Sequence, residues 1–220
     1  MSGPDPKHSN DMSSNTRALL RSARLIPVLT ITDAGTAVPL ARALVAGGVR
    51  TLEITLRTAA GAAAATAILE QVPGAIVGLG TVLTAADLAL CRERGFHFAF
   101  SPGASPALLD AAAKAGVAFV PGIQTASEIM ACLERGFDTM KFFPAVPAGG
   151  IAAVKALAGP FPNVGFCPTG GISESDTAAW LSLPNVLAVG GSWLAPPEEV
   201  ARGDWAAITA RASRALAALS

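Results

Sequence analysis

The sequence predicts a (β/α)8 barrel, the TIM-barrel fold, as a single α/β domain with a short N-terminal helix ahead of the first strand. Three observations predict it. From Arg24 onward, short β-like runs alternate with helical ones, at a spacing of roughly 20 to 30 residues. Eight such runs precede a closing helical stretch at 204–219, and regular βα alternation implies parallel strands ringed by helices. No Gly-x-Gly-x-x-Gly follows the first strand, which weakens a doubly wound open sheet as the alternative.

The strand-like runs are residues 25–30, 51–56, 76–81, 97–101, 118–121, 139–143, 164–168 and 186–190. Each is short and apolar or alternating, as barrel strands are. Helical stretches such as 34–46, 60–71, 85–94, 106–115, 126–135 and 175–183 lie between them. Several end in glycine, at 47–48, 95, 116 and 136, where a left-handed residue closes a helix. Residues 1–15 are polar, rich in Ser, Asn and Asp, and lack an apolar core. They read as a disordered leader or tag remnant and not as a signal peptide, leaving residues 16–220 as one domain.

Composition removes several functional classes. Sixteen basic and sixteen acidic residues balance, with no basic stripe, so neither nucleic acid nor a membrane surface is the expected partner. The alanine-rich helices are interrupted by polar residues, Gly or Pro, so none reads as a membrane span. Cys91, Cys132 and Cys167 are odd in number and widely spaced, which argues against a zinc ribbon or disulfide framework and for free thiols in a reducing cytoplasm. His8 and His97 are the only histidines. Neither a histidine-based metal site nor a Ser-His-Asp triad is expected.

Lys141 is the most informative residue. It is one of four lysines and lies in an apolar run between Met140 and Phe142-Phe143. Burial beside aromatic walls disfavours the charged form of an amine, and a neutral amine is a nucleophile that forms a Schiff base with a ketone. A lysine that snorkels from a strand end is the bland alternative. Strand periodicity sharpens the choice. In 51–56, Thr51, Glu53 and Thr55 share one face with Arg57 beyond, and Leu52, Ile54 and Leu56 share the other. In 139–143, Thr139, Lys141 and Phe143 share a face. Glu53 and Lys141 are therefore both expected to point into the barrel, as acid/base and nucleophile. A buried ion pair without function is the other reading, at a desolvation cost.

The remaining motifs cluster at predicted strand ends. Gly78-Leu79-Gly80-Thr81 permits close approach of a ligand, and Ser101-Pro102-Gly103 makes a tight turn; either is also ordinary turn chemistry. Thr169-Gly170-Gly171 and Gly190-Gly191-Ser192 follow the last two strands, where such barrels bind phosphate through backbone N–H groups.

Taken in order, Leu52 to Arg57, Gly80 to Leu83, Ser101 to Gly103, Lys141 to Ala145, Cys167 to Ile172 and Gly190 to Leu194 closely resemble the bacterial 2-keto-3-deoxy-6-phosphogluconate (KDPG) aldolases. These are class I aldolases that often also cleave 4-hydroxy-2-oxoglutarate. The resemblance runs from about Ile26 to the C-terminal helix. It implies Lys141 as the Schiff-base lysine and Glu53 as general acid/base. Arg57 and Thr81 would bind the carboxylate and keto end of pyruvate, and Pro102 and Phe143 would line the pocket. Thr169, Gly170, Gly171, Gly191 and Ser192 would form the phosphate side. It further implies a phosphorylated 2-keto acid as substrate, a cytoplasmic homotrimer, and no metal or cofactor. Residues 145–150, Ala-Val-Pro-Ala-Gly-Gly, depart from the more polar stretch expected after the lysine. Rival readings are an aldolase for the phosphogalactonate epimer, a phosphosugar isomerase using Glu53 as base, and a non-catalytic phosphosugar-binding barrel.

Overall fold

The computed structural model describes residues 6–219. Helix α1 (Pro6–Ala23) leads into β1 (Leu25–Leu29), and βα units follow: α2 (Ala37–Ala46), β2 (Thr51–Thr55), α3 (Gly61–Gln71), β3 (Ile76–Gly80), α4 (Ala85–Arg94), β4 (Phe98–Phe100) and α5 (Pro106–Ala115). The second half contains β5 (Phe119–Val120), β6 (Gly122–Ile123), α6 (Ala126–Leu133), β7 (Thr139–Phe142), α7 (Gly150–Leu157), β8 (Gly165–Phe166), α8 (Thr177–Leu181), β9 (Val189–Gly191), α9 (Pro197–Arg202) and α10 (Trp205–Ala217).

All strand pairs are parallel. They form a curled six-stranded sheet in the order β5-β4-β3-β2-β1-β9 and a three-stranded sheet in the order β6-β7-β8. The sequence predicts one unbroken eight-strand barrel, and here the ladder differs. The expected strand 118–121 is divided by Pro121, which has no N–H to give a ladder; its carbonyl still accepts from the Lys141 amide at 2.8 Å. Near β8 and β9 the chains touch through single bridges, Phe166 to Val186 and Thr169 to Gly190. The stretches 150–157 and 197–202 are helices that the sequence reading did not single out.

Two apolar cores follow from strand alternation. Leu25, Leu29, Leu52, Ile54, Met140 and Phe142 face outward into the sheet–helix core. Ile26, Phe98, Phe100, Val120, Cys167, Leu187 and Ala188 form a smaller cluster together with Leu20 of α1. The helix α1 occupies much of the segment read as a leader; residues 1–5 of that leader lie outside the described residues. It is tethered where it becomes buried. Arg17 donates to the carbonyls of Asp138 and Asn163, and Ser13 donates to Asp138. Leu20 is fully buried, worth roughly 1.5–3 kcal/mol of transfer energy. Polar composition hides such a helix because only a few of its side chains meet the core.

The helix starts are written in the sequence. Thr84 and Thr125 each accept from the amide three residues on, while Asp87 and Glu128 return the bond to the cap. Such capping boxes satisfy amides that the first turn leaves free.

Candidate active site

Thr51, Glu53 and Thr55 are the buried polar face of β2, and Thr139 and Lys141 are that of β7. The inward faces predicted by alternation are the ones observed. They converge: Lys141 Nζ donates to Glu53 Oε1 at 2.8 Å and to Oε2 at 3.2 Å. The side chains are 3% and 0% exposed. The ammonium nitrogen also lies 5.3 Å from the Phe100 ring centroid and 5.4 Å from that of Phe143, within cation–π range.

Neighbouring glycines make room for this pair. Gly80 is paired with Thr55 across β2 and β3, and a Cβ on it would fall 2.3 Å from Glu53 Oε1. Gly122 is paired with Lys141, and a Cβ there would fall 2.3 Å from the Pro102 carbonyl carbon. The Pro102–Gly103 turn thus packs onto the strand beside the lysine. Gly78, read from sequence as a point of ligand approach, instead accommodates the ring of Phe98, whose Cδ2 would lie 2.3 Å from an added Cβ.

At the strand ends, Arg57 Nε donates to Thr81 Oγ1 at 3.1 Å. Thr81 has a positive φ of 60°, a conformation a β-branched residue adopts only where its surroundings impose it. Its successor Val82 is tied to the Phe100 carbonyl at 3.0 Å. Across β1 and β2 the hydroxyls of Thr30 and Thr55 are 3.0 Å apart.

A pocket of about 310 Å³ opens beside these residues. Arg57, Phe143, Thr169, Gly170, Gly171, Gly191 and Ser192 line it, all singled out from sequence. Gly190, from the predicted Gly190-Gly191-Ser192 strand end, and Ile172, the last residue of the Cys167 to Ile172 motif, line it as well. Val28 and Ser173 also line it and were not singled out; Val28 shares the parity of Ile26 on β1, the one signal that could have placed it. Gly170 and Gly171 have φ of 104° and 79°, which frees their backbone to curve around an anion. Thr81, Pro102, Glu53 and Lys141 lie outside this lining, and Phe143 joins the two regions because its ring serves both. Phe100 is the residue at the lysine that sequence reasoning missed. The departing loop 145–150 borders the pocket: Val146 is exposed and its amide donates to the Gly170 carbonyl at 3.0 Å.

Cys167 is buried nearby, and burial pushes its thiol up to about 12, with Lys141 opposing more weakly. Among the described residues, no cluster of His, Cys, Asp and Glu could hold a metal ion, and no helix is long and apolar enough to cross a membrane.

A buried lysine hydrogen-bonded to a carboxylate, beside a glycine-walled pocket on a parallel α/β sheet, is an arrangement suited to a carbon–carbon lyase of the Schiff-base type. Residues 16–211 match the KDPG and KHG aldolase family, and the chain belongs to that family. It is 52% identical over 193 residues to the 2-dehydro-3-deoxy-phosphogluconate aldolase of Pseudoalteromonas atlantica, covering 88% of this chain and 90% of that one. The KDPG aldolase of Zymomonas mobilis ZM4, solved with 3-phosphoglycerate, superposes with a TM-score of 0.88 at 43% identity, covering 92% of this chain and 95% of that one. The Legionella pneumophila enzyme has the same TM-score of 0.88 at 40% identity, covering 91% and 97%. In that structure pyruvate is captured as a covalent carbinolamine.

Proposed function

We infer that this protein is a class I aldolase that cleaves 2-keto-3-deoxy-6-phosphogluconate to pyruvate and D-glyceraldehyde 3-phosphate, and that it also cleaves 4-hydroxy-2-oxoglutarate to pyruvate and glyoxylate. The observation that carries the reading is the sequestered Lys141–Glu53 contact at 2.8 Å next to the Gly170-Gly171 pocket. The family membership and the carbinolamine of the Legionella relative support the same chemistry.

In this reading Glu53 accepts a proton from Lys141, and the free amine attacks C2 of the keto acid. Glu53 returns that proton to the carbinolamine hydroxyl, which leaves as water and gives a protonated imine, with Glu53 again a carboxylate. Its nitrogen receives the electron pair as C3–C4 breaks, so an enamine forms in place of a carbanion. Glu53 takes the C4 hydroxyl proton, directly or through a water, and the aldehyde departs. Protonation of the enamine at C3 and hydrolysis then release pyruvate and the amine. The imine is the electron sink, so no metal or cofactor is required. Arg57 suits the planar carboxylate through its forked donors, with Thr81 at the keto end. Pro102 and Phe143 wall the cavity. Thr169, Gly170, Gly171, Gly191 and Ser192 hold the phosphate through amides and hydroxyls.

The same reading takes residues 16–220 as one domain and the two sheets as a closed eight-strand barrel. The Pro121–Lys141 and Thr169–Gly190 contacts support closure. Three free buried cysteines suit a reducing cytoplasm, and a homotrimer rests on the family resemblance. Borohydride reduction with pyruvate, followed by peptide mass spectrometry, tests the core of it. An adduct on Lys141 is expected; folded protein carrying no lysine adduct would send the reading back to an isomerase or a binding barrel.

A further inference from the structure

Thr30 stands one position past the end of β1, and nothing in the mechanism above uses it. The register places Val28 opposite Glu53 and Leu29 opposite Ile54. Continuing it puts Thr30 across from Thr55, as their 3.0 Å hydroxyl contact requires. Thr30 therefore shares the inward face of Val28, which lines the anion pocket. Its strand lies between β9, which carries Gly191, and β2, which leads to Arg57. Unlike Thr55, which is fully buried, Thr30 is exposed, two positions along the strand from the pocket-lining Val28.

This hydroxyl is preorganised. A β-branched side chain has few χ1 choices, and the bond to Thr55 fixes which one is used. Thr58 donates to the carbonyl of the next residue, Ile31, at 2.5 Å, which steadies the chain just beyond. Thr30 keeps hydrogen-bonding capacity because a hydroxyl has one donor and two acceptor sites, and Thr55 takes one of these.

We propose that Thr30 is a specificity-determining residue whose hydroxyl binds the C5 hydroxyl of the phosphorylated substrate, the alcohol carried by the aldehyde product. This rests on the aldolase reading. A substrate spanning from Lys141 to the Gly170-Gly171 pocket must pass its middle carbons along the open strand ends, and Thr30 presents a fixed polar atom there. It thereby distinguishes a hydroxylated acceptor from one lacking that group.

The test pairs the hydroxyl on the protein with the hydroxyl on the substrate, run in the condensation direction with pyruvate. The acceptors are D-glyceraldehyde 3-phosphate and 3-oxopropyl phosphate, which lacks only the secondary alcohol. Thr30→Val is expected to lower kcat/KM for glyceraldehyde 3-phosphate by about two- to tenfold, the range of one neutral hydrogen bond. The rate with the deoxy acceptor should stay unchanged, and Thr30→Ser should restore discrimination. Equal loss on both acceptors, or a wild type that uses both equally well, overturns the assignment. Should Thr30→Val fold poorly, the wild-type ratio and Thr30→Ser still decide it. The borohydride-trapped pyruvate adduct of the wild type separates the two failures: its absence sinks the aldolase reading, whereas its presence without acceptor discrimination sinks only the role of Thr30.

Discussion

The carboxylate of Glu53 occupies the space that a side chain on Gly80 would fill, with Oε1 2.3 Å and Cγ 2.6 Å from the position of an added Cβ. The glycine on β3 thereby sets the rotamer of an acid on β2, which in turn reaches across to β7. Gly80→Ala should push the carboxylate off Lys141 and, as a forced overpacking, destabilise by about 1–3 kcal/mol. A fall in kcat larger than the change in KM, with the fold intact by circular dichroism, is the expected result. Wild-type kcat in that variant would mean the carboxylate can move without consequence.

The Lys141–Glu53 contact predicts a strong non-additivity. Removing one partner leaves the other charge buried and uncompensated, at about 3–5 kcal/mol, whereas replacing both with apolar groups is often neutral. Lys141→Met and Glu53→Leu should each unfold at lower denaturant concentration, and the double variant should recover much of the loss. Denaturation midpoints for the four proteins measure this directly. Simple addition of the two losses would argue that the pair is not coupled in solution.

Activity divides the same two residues differently. Lys141→Ala should abolish turnover and adduct formation together. Glu53→Gln keeps the shape and should slow cleavage by about 10²–10⁴, the usual loss for a positioned acid/base. Steady-state rates on the phosphorylated substrate check both, and unchanged turnover in either variant removes that residue from its role.

How far the sequence discloses this site depends on the kind of fact. Period-two alternation discloses that Glu53 and Lys141 face one interior, although they are 88 positions apart. Glycine-rich strand ends disclose the pocket, because Gly170 and Gly171 adopt conformations other residues avoid. Partners across the interior are not disclosed. Gly80 reads as a place for ligand to approach, yet what approaches is Glu53, and Phe100 gives no sign that its ring faces an amine. The break at Pro121 is visible only in the ladder it interrupts. The helices at 150–157 and 197–202 are short and flanked by Gly or Pro, so tertiary packing decides them more than pattern does.

Leu20 offers a separation of stability from chemistry. It comes from α1, outside the βα repeats, yet packs in the cluster that holds Phe98 and Phe100. Leu20→Ala should cost about 2–5 kcal/mol and lower Tm while leaving kcat unchanged at a temperature where the protein is folded. A catalytic defect of comparable size would instead tie the helix to the position of Phe100 under Lys141.

The three thiols predict the alkaline limit of the fold. Cys91, Cys132 and Cys167 are buried, and burial pushes each up to about 12, above the usual 8.5 or so of an exposed thiol. Between those values the unfolded chain has released protons that the native chain retains. Stability therefore falls with rising pH in that window, by about 1.4 kcal/mol per pH unit per thiol, and is insensitive to these groups below it. The chain has no tyrosine and only four lysines, so few other groups obscure the slope. Tm should drop steeply from about pH 9 upward, and a variant with all three cysteines changed to alanine should show a flatter alkaline limb. At pH 8 the native protein should resist thiol reagents that label all three residues in guanidinium chloride; rapid native labelling of any one of them would show that its burial does not persist in solution.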